Sequence, residues 1–168
     1  MERIAAFFAA SRYFSDKAEL ERVYEELCTR LQSIATDCRL IVDGQGVDEL
    51  PARTDDLLVV VPMSGAVQKD ILRATERLGA VVVYGAYIQG NCGDAASALM
   101  VKNNAAPTLM DSWSVLRKRH ARALLALNQA ELARRVRLIS ARSALQGKRI
   151  ILIGEPEPWV ISVSRDLE

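Results

Sequence analysis

The chain has 168 residues and a mean hydropathy of +0.06, with half of its residues hydrophobic and 26% charged. That mixture excludes a disordered, collagen-like or low-complexity chain and fits one domain. Its 22 Lys and Arg against 21 Asp and Glu give a net charge of +1, so no global field favours nucleic acid or a membrane surface. The near-neutral sum hides a segregation, with 7 basic and 12 acidic side chains in residues 1–56 and 10 basic against 1 acidic in residues 112–149.

From the N-terminus, residues 4–9 form an apolar run of strand length. Asp16 follows as an N-cap, before a helical pattern through Leu20, Val23, Tyr24, Leu27, Leu31 and Ile34. Residues 39–42 read as a short second strand that stops at the glycine-punctuated loop Asp43-Gly44-Gln45-Gly46. Residues 57–61 are a near-continuous β-branched run ended by Pro62, the pattern of a strand covered on both faces. Val67, Ile71, Ala74 and Leu78 then mark one helical face, with Gly79 placed as its C-terminal glycine. Residues 80–84 give a fourth strand, and residues 94–102 a close-packed helix of small residues starting at an Asp94 cap. Residues 107–110 read as a fifth strand ending at Asp111. Residues 116–145 read as helical with a break near Asn128, and residues 149–153 as a sixth strand that stops at Gly154.

Strands alternating with helices imply a doubly wound α/β domain over residues 1–154. Its sheet is mostly parallel, with five to six strands and helices on both faces, in the Rossmann or flavodoxin manner. Residues 155–168 read as a segment leading toward a second domain. Ligands of such sheets bind beyond the carboxyl ends of the strands. The expected rim therefore holds Ser11, Arg12 and Tyr13 after the first strand and Asp43 after the second. Met63, Ser64 and Gly65 follow the third, Tyr87, Gln89, Gly90 and Asn91 the fourth, Asp111 and Trp113 the fifth, and Glu155 the sixth.

Several chemistries find no support on that rim. Neither the dinucleotide nor the P-loop glycine pattern occurs, and Gly44-Gln45-Gly46 leads into Asp48 and Glu49, which repel phosphate. The single histidine, His120, lies in a basic helical stretch away from the rim, so no nucleophile–imidazole pair is available. The rim acids stand on separate loops, without the converging donors a divalent cation needs. The basic stretch carries no aromatic platform after Trp113, which disfavours nucleic acid and leaves a solvated face or a contact with an acidic surface. Cys28, Cys38 and Cys92 are odd in number and lack a C-x-x-C pair, the usage of reduced thiols rather than of a disulfide framework or a zinc site. With no leader pattern at Met1-Glu2-Arg3-Ile4 and no apolar run near the ~20 residues of a membrane span, the expected location is cytoplasmic, without a membrane partner. The segment from Tyr87 to Asp94 combines amides, a hydroxyl and glycines. It reads either as a tight structural turn or as a polyol site, since neutral amides beside an aromatic ring supply both donors and acceptors for sugar hydroxyls.

Taken in order, several segments resemble the N-terminal portion of L-fucose isomerase-like and L-arabinose isomerase-like proteins. These are residues 7–16 with the following Val23-Tyr24-Glu25-Glu26-Leu27, Asp55-Asp56 with the run 57–61, Gly90-Asn91-Cys92-Gly93-Asp94-Ala95-Ala96, and residues 147–160. The resemblance implies the first α/β domain of a metal-dependent aldose–ketose isomerase-like protein. Such a domain helps to build a homo-oligomer and part of a sugar-binding rim at a domain or subunit interface. Manganese and the catalytic acids belong to later domains in that family, so the resemblance places no catalytic residue and no metal ligand in this chain. It offers Arg12, Gln89 and Asn91 as substrate contacts. The alternative is a stand-alone small-ligand-binding or regulatory module, with Ser64, Arg12 and Asn91 around the crevice where strand order reverses.

Overall fold

The computed structural model describes residues 2–50, 56–76, 80–119 and 122–148. Among these residues, five strands form one parallel sheet: β1 (Arg3–Ala9), β2 (Asp37–Val42), β3 (Leu57–Pro62), β4 (Ala80–Tyr84) and β5 (Ala123–Ala126). Their spatial order is β2-β1-β3-β4-β5, that of a doubly wound, flavodoxin-like fold whose order reverses between β1 and β3. Helices α1 (Lys17–Leu31), α2 (Gln68–Thr75), α3 (Asp94–Lys102), α4 (Ala105–Arg119) and α5 (Gln129–Leu145) cover it. None of the described helices is long and apolar enough to cross a membrane.

The strands are apolar throughout because both faces are covered. Along β1, Ala5, Phe7 and Ala9 face one layer, and Ile4, Ala6 and Phe8 the other, as the two-residue period of a strand requires. Leu20, Val23, Leu27 and Leu31 of α1 share the first layer with Ala96 and Met100 of α3 and Leu132, Val136 and Ile139 of α5. Ile71 and Ala74 of α2 and Leu109 and Leu116 of α4 fill the second. The expected Asp16 cap is realised, its Oδ1 accepting from Glu19 N at 2.8 Å, and the break expected near Asn128 is itself a cap, with Asn128 Oδ1 accepting from Glu131 N at 2.8 Å.

Two expected elements are corrected. Residues 107–110 are helical, inside α4. Pro107 stands in the first turn, where a missing N–H costs no helical bond, and the buried Thr108, Leu109, Ser112 and Leu116 keep a helical period. Asn104, at φ +63°, makes the corner that separates α3 from α4. Asp111 and Trp113 therefore sit on α4 and not at a strand end. The fifth strand is Ala123–Ala126, paired with β4 from Val81↔Ala123 to Tyr84↔Ala126, so the helix expected over residues 116–145 is two helices with a strand between them. The α3 cap is Gly93, with Asp94 the first helical residue. The sixth strand expected at residues 149–153, together with Leu78, Gly79, His120 and Glu155, lies outside the described residues.

Tyr84, at the end of β4, is 1% exposed, and its hydroxyl has no hydrogen-bond partner among the described residues. Burial, helped by the neighbouring Cys92, pushes its pKa up to about 12. Because the folded value is raised, the neutral phenol contributes stability that is complete below the ordinary tyrosine value near 10 and is lost as pH climbs through about 12. Tyr84→Phe removes an unpartnered buried hydroxyl, a group whose desolvation costs about 1–3 kcal/mol. It is expected to leave stability equal or higher near neutral pH and to reduce the alkaline loss, as measured by urea unfolding near neutral pH and at about pH 11. A marked destabilisation near neutral pH would show that the hydroxyl has a partner.

Candidate functional site

All five strands are parallel, so their carboxyl ends lie on one edge of the sheet, and the loops leaving them form the rim. After β1 the chain makes a single 3-10 turn, Ser11–Tyr13. This turn is tied to the end of β2: Ser11 N donates to Asp43 Oδ1 at 3.0 Å and Ser11 Oγ to Asp43 Oδ2 at 2.6 Å. Asp43 itself sits at φ +49°, a conformation that aspartate tolerates better than most residues. The turn exposes Arg12 and lays its guanidinium carbon 5.5 Å from the centre of the Tyr13 ring. A cation over a ring face is favoured by the ring quadrupole.

The crevice between β1 and β3 is closed. Ser64 is fully buried, its Oγ accepting from Ala10 N at 2.8 Å and donating to Gly65 O at 3.1 Å. Gly65 N donates to Asn103 O at 2.6 Å, bringing the α3–α4 corner onto the end of β3. A Cβ on Gly65 would stand 2.7 Å from the Tyr13 hydroxyl and 3.3 Å from Asn104 Cβ, so the missing side chain is what lets Tyr13 lie across this end of the sheet. Tyr13 and Tyr87 each touch both core layers, which places these two half-buried rings over the sheet edge itself.

Of the three substrate contacts expected from sequence, Arg12 and Gln89 are exposed on the rim. The strands that carry them, β1 and β4, are separated by β3 alone, two strand spacings or roughly 10 Å. Asn91 is different. It is 4% exposed, and its Nδ2 donates to Gly85 O at 2.8 Å and to Leu127 O at 2.9 Å. Both amide hydrogens are thus engaged in fastening the β4–α3 loop to the end of β5. Of the two readings of residues 87–94, the structural turn accounts for Asn91, while Gln89 is exposed and has no hydrogen-bond partner among the described residues.

A cleft of about 520 Å³ opens beside Arg12, between the N-terminal part of α1 and the end of β2. Its floor is apolar, formed by Phe14, Leu20, Leu40 and Val42, and its polar wall carries the Ser11 and Ser15 hydroxyls, Asp16, Lys17, Glu21 and Gln45. The start of α1 is already occupied by acids: Glu19 Oε2 accepts from Ser15 N at 2.8 Å and from Ser15 Oγ at 3.0 Å, reinforcing the Asp16 cap. Lys17 pairs with Glu21 at 3.2 Å. The wall therefore offers hydroxyl, amide and carboxylate groups while repelling phosphate. Sequence reasoning missed the contribution of Ser15, Lys17, Glu21 and Gln45. The Ser15-Asp16-x-x-Glu19 spacing was readable as a capping box, but nothing in it showed that α1 would leave a gap against β2.

Among the described residues no three His, Cys, Asp or Glu side chains come together in a way that could hold a metal ion, so they supply no donor set for manganese. Comparison with protein-family models, curated proteins and solved structures returned no match.

Proposed function

We propose that this chain is the N-terminal α/β domain of an aldose–ketose isomerase-like protein, contributing part of a sugar-binding rim and an assembly surface, without catalysing isomerisation alone. The observation that carries the reading is the cleft of about 520 Å³ with an apolar floor and a wall of hydroxyl, amide and carboxylate groups. A sugar ring presents just this combination: C–H faces that pack on Phe14 and the aliphatic floor, and hydroxyls that both donate and accept. Arg12 and Gln89 extend the polar surface along the same edge, with Tyr13 and Tyr87 beneath it. The carboxylates at the start of α1 argue against a nucleotide or phosphate ligand, which the stand-alone regulatory reading would favour.

The charge layout supports assembly. Exposed Glu21, Glu25, Asp48 and Glu49 stand on α1 and in the turn after the edge strand β2, and exposed Arg117, Lys118, Arg119, Arg134, Arg137 and Arg142 stand on α4 and α5, which flank the other edge strand, β5. Opposite signs at opposite ends of one sheet suit a head-to-tail contact between copies.

The test is a thermal-shift and calorimetric screen of the chain against aldoses, with inorganic phosphate and nucleotides as comparison ligands. Binding to the folded state stabilises by RT ln(1 + [L]/Kd). Aldoses are expected to raise Tm, and Arg12→Ala or Ser15→Ala to weaken them about tenfold, the worth of one hydrogen bond to a charged group. Saturable nucleotide binding with no response to aldoses would overturn the reading, as would enzyme-like isomerase turnover by the chain alone.

A further inference from the structure

Cys28 and Cys38 are ten positions apart in sequence, yet the fold sets them side by side. Tyr24 and Cys28 lie one turn apart on α1, and the Tyr24 hydroxyl donates to Cys38 O at 3.2 Å across the gap to β2. The Cys38 side chain packs against the same core layer that α1 covers. Cys28 stands near enough to the Cys38 thiol and the Tyr24 hydroxyl to push both of their pKa values up. Both cysteines are half-buried, whereas Cys92 is buried and bonds Ala86 O at 3.2 Å.

We propose that Cys28 and Cys38 form a redox-active dithiol that closes to an intramolecular disulfide by exchange with a low-molecular-weight disulfide. In the first step the Cys28 thiolate attacks one sulfur of that disulfide. Its S–S bond breaks, and the departing thiolate takes up a proton. In the second step the Cys38 thiolate attacks the Cys28 sulfur of the mixed disulfide and expels the second small thiol. The protein loses two electrons and two protons, and the small disulfide gains them as two thiols. The order follows from Cys38, whose thiol burial and the neighbouring Cys28 push up to about 12, so it is the poorer first nucleophile.

The cross-link has a structural consequence. Leu20 and Glu21 line the cleft from α1, and Leu40 and Val42 line it from β2. A covalent bond between α1 and β2 fixes the spacing of the two elements across the cleft whatever ligand it takes, so the inference stands apart from the sugar reading.

The full chain is to be equilibrated in glutathione buffers of stepped oxidised-to-reduced ratio, quenched with acid, alkylated and weighed intact, then digested. The expected result is loss of two alkylatable thiols, a mass lower by two hydrogens and a Cys28–Cys38 disulfide peptide. Cys92 stays alkylatable, and excess reduced glutathione reverses the change. Cys28→Ser and Cys38→Ser are each expected to stop at a single glutathione adduct on the remaining partner. Three alkylatable thiols at every ratio, a stable glutathione adduct on wild-type Cys28 beside a free Cys38, or a disulfide between two chains would each overturn the proposal.

Discussion

Asn91→Asp is expected to lower stability by about 3–5 kcal/mol near neutral pH, the cost of a buried charge without a counter-charge. The wild-type amide points both N–H groups at the carbonyl oxygens of Gly85 and Leu127. A carboxylate there replaces the doubly donating NH2 group by an acceptor oxygen facing two carbonyls, in a position 4% exposed. The side chain escapes part of the penalty by taking up a proton, which raises its folded pKa above the ordinary aspartate value near 3.9. The sign follows: the variant keeps its stability below that ordinary value and loses it as pH rises through the raised one. Its deficit relative to wild type should therefore shrink on acidification. Asn91→Ala is the milder change, about 1–3 kcal/mol, since Gly85 O still accepts from Ile88 N at 3.2 Å. Urea unfolding of the three proteins across the acid range measures both effects. An Asn91→Asp protein within about 1 kcal/mol of wild type would mean that the loop is not held by this amide.

Phe7→Ala is the second large effect, at about 3–5 kcal/mol for a buried phenylalanine. Phe7 is fully buried, lies in register with Leu40 of β2 and Val61 of β3, and meets the Tyr24 ring edge-on at 5.2 Å between centroids and 84°. An aromatic pair of this geometry adds about 0.5–1.5 kcal/mol beyond area burial. The damage should also be directional. Tyr24 connects α1 to β2 through Cys38 O, so the loss of its packing partner loosens the edge strand before the centre. Native-state hydrogen exchange is expected to show the amides of β2 opening at lower free energy in the variant while those of β4 follow the global decrease. Equal slowing or speeding of both strands would separate Tyr24 from the attachment of β2.

How far the sequence carried these conclusions depends on the element. Residues 57–61 and 80–84 were legible as strands because β-branched runs of that length have few other uses in a doubly wound fold, and α1 announced both its cap and its buried face. Residues 123–126 were not, because Ala-Leu-Leu-Ala favours helix by propensity and its apolar positions also satisfied a helical period. Pairing with β4 decided the matter, and pairing is a tertiary fact. Pro107 misled in the opposite sense, since a proline in the first turn of a helix and one beside a strand look alike in sequence. On the rim, Arg12 and Gln89 are exposed, whereas the burial of Asn91 depended on how close β5 came to the β4–α3 loop. The nearness of Cys28 and Cys38 was equally hidden, because it arises from the return of the chain from α1 into β2 and not from any local motif.

The acids at the helix starts bear on how this scaffold could change its ligand preference. Helices α1, α3 and α5 all begin at the strand ends, and each has a carboxylate on a main-chain N–H at or beside its start: Glu19 on Ser15, Glu26 on Gly93 and Glu131 on Leu127. In related architectures such N–H groups are what a phosphate ligand uses. Here the protein's own anions stand in for that ligand. What stands between these N–H groups and a phosphate on this backbone is thus a handful of acidic side chains. Opening these ends to an anion would require no rearrangement of the sheet, only the replacement of glutamates whose present task is to fill the ends of the helices.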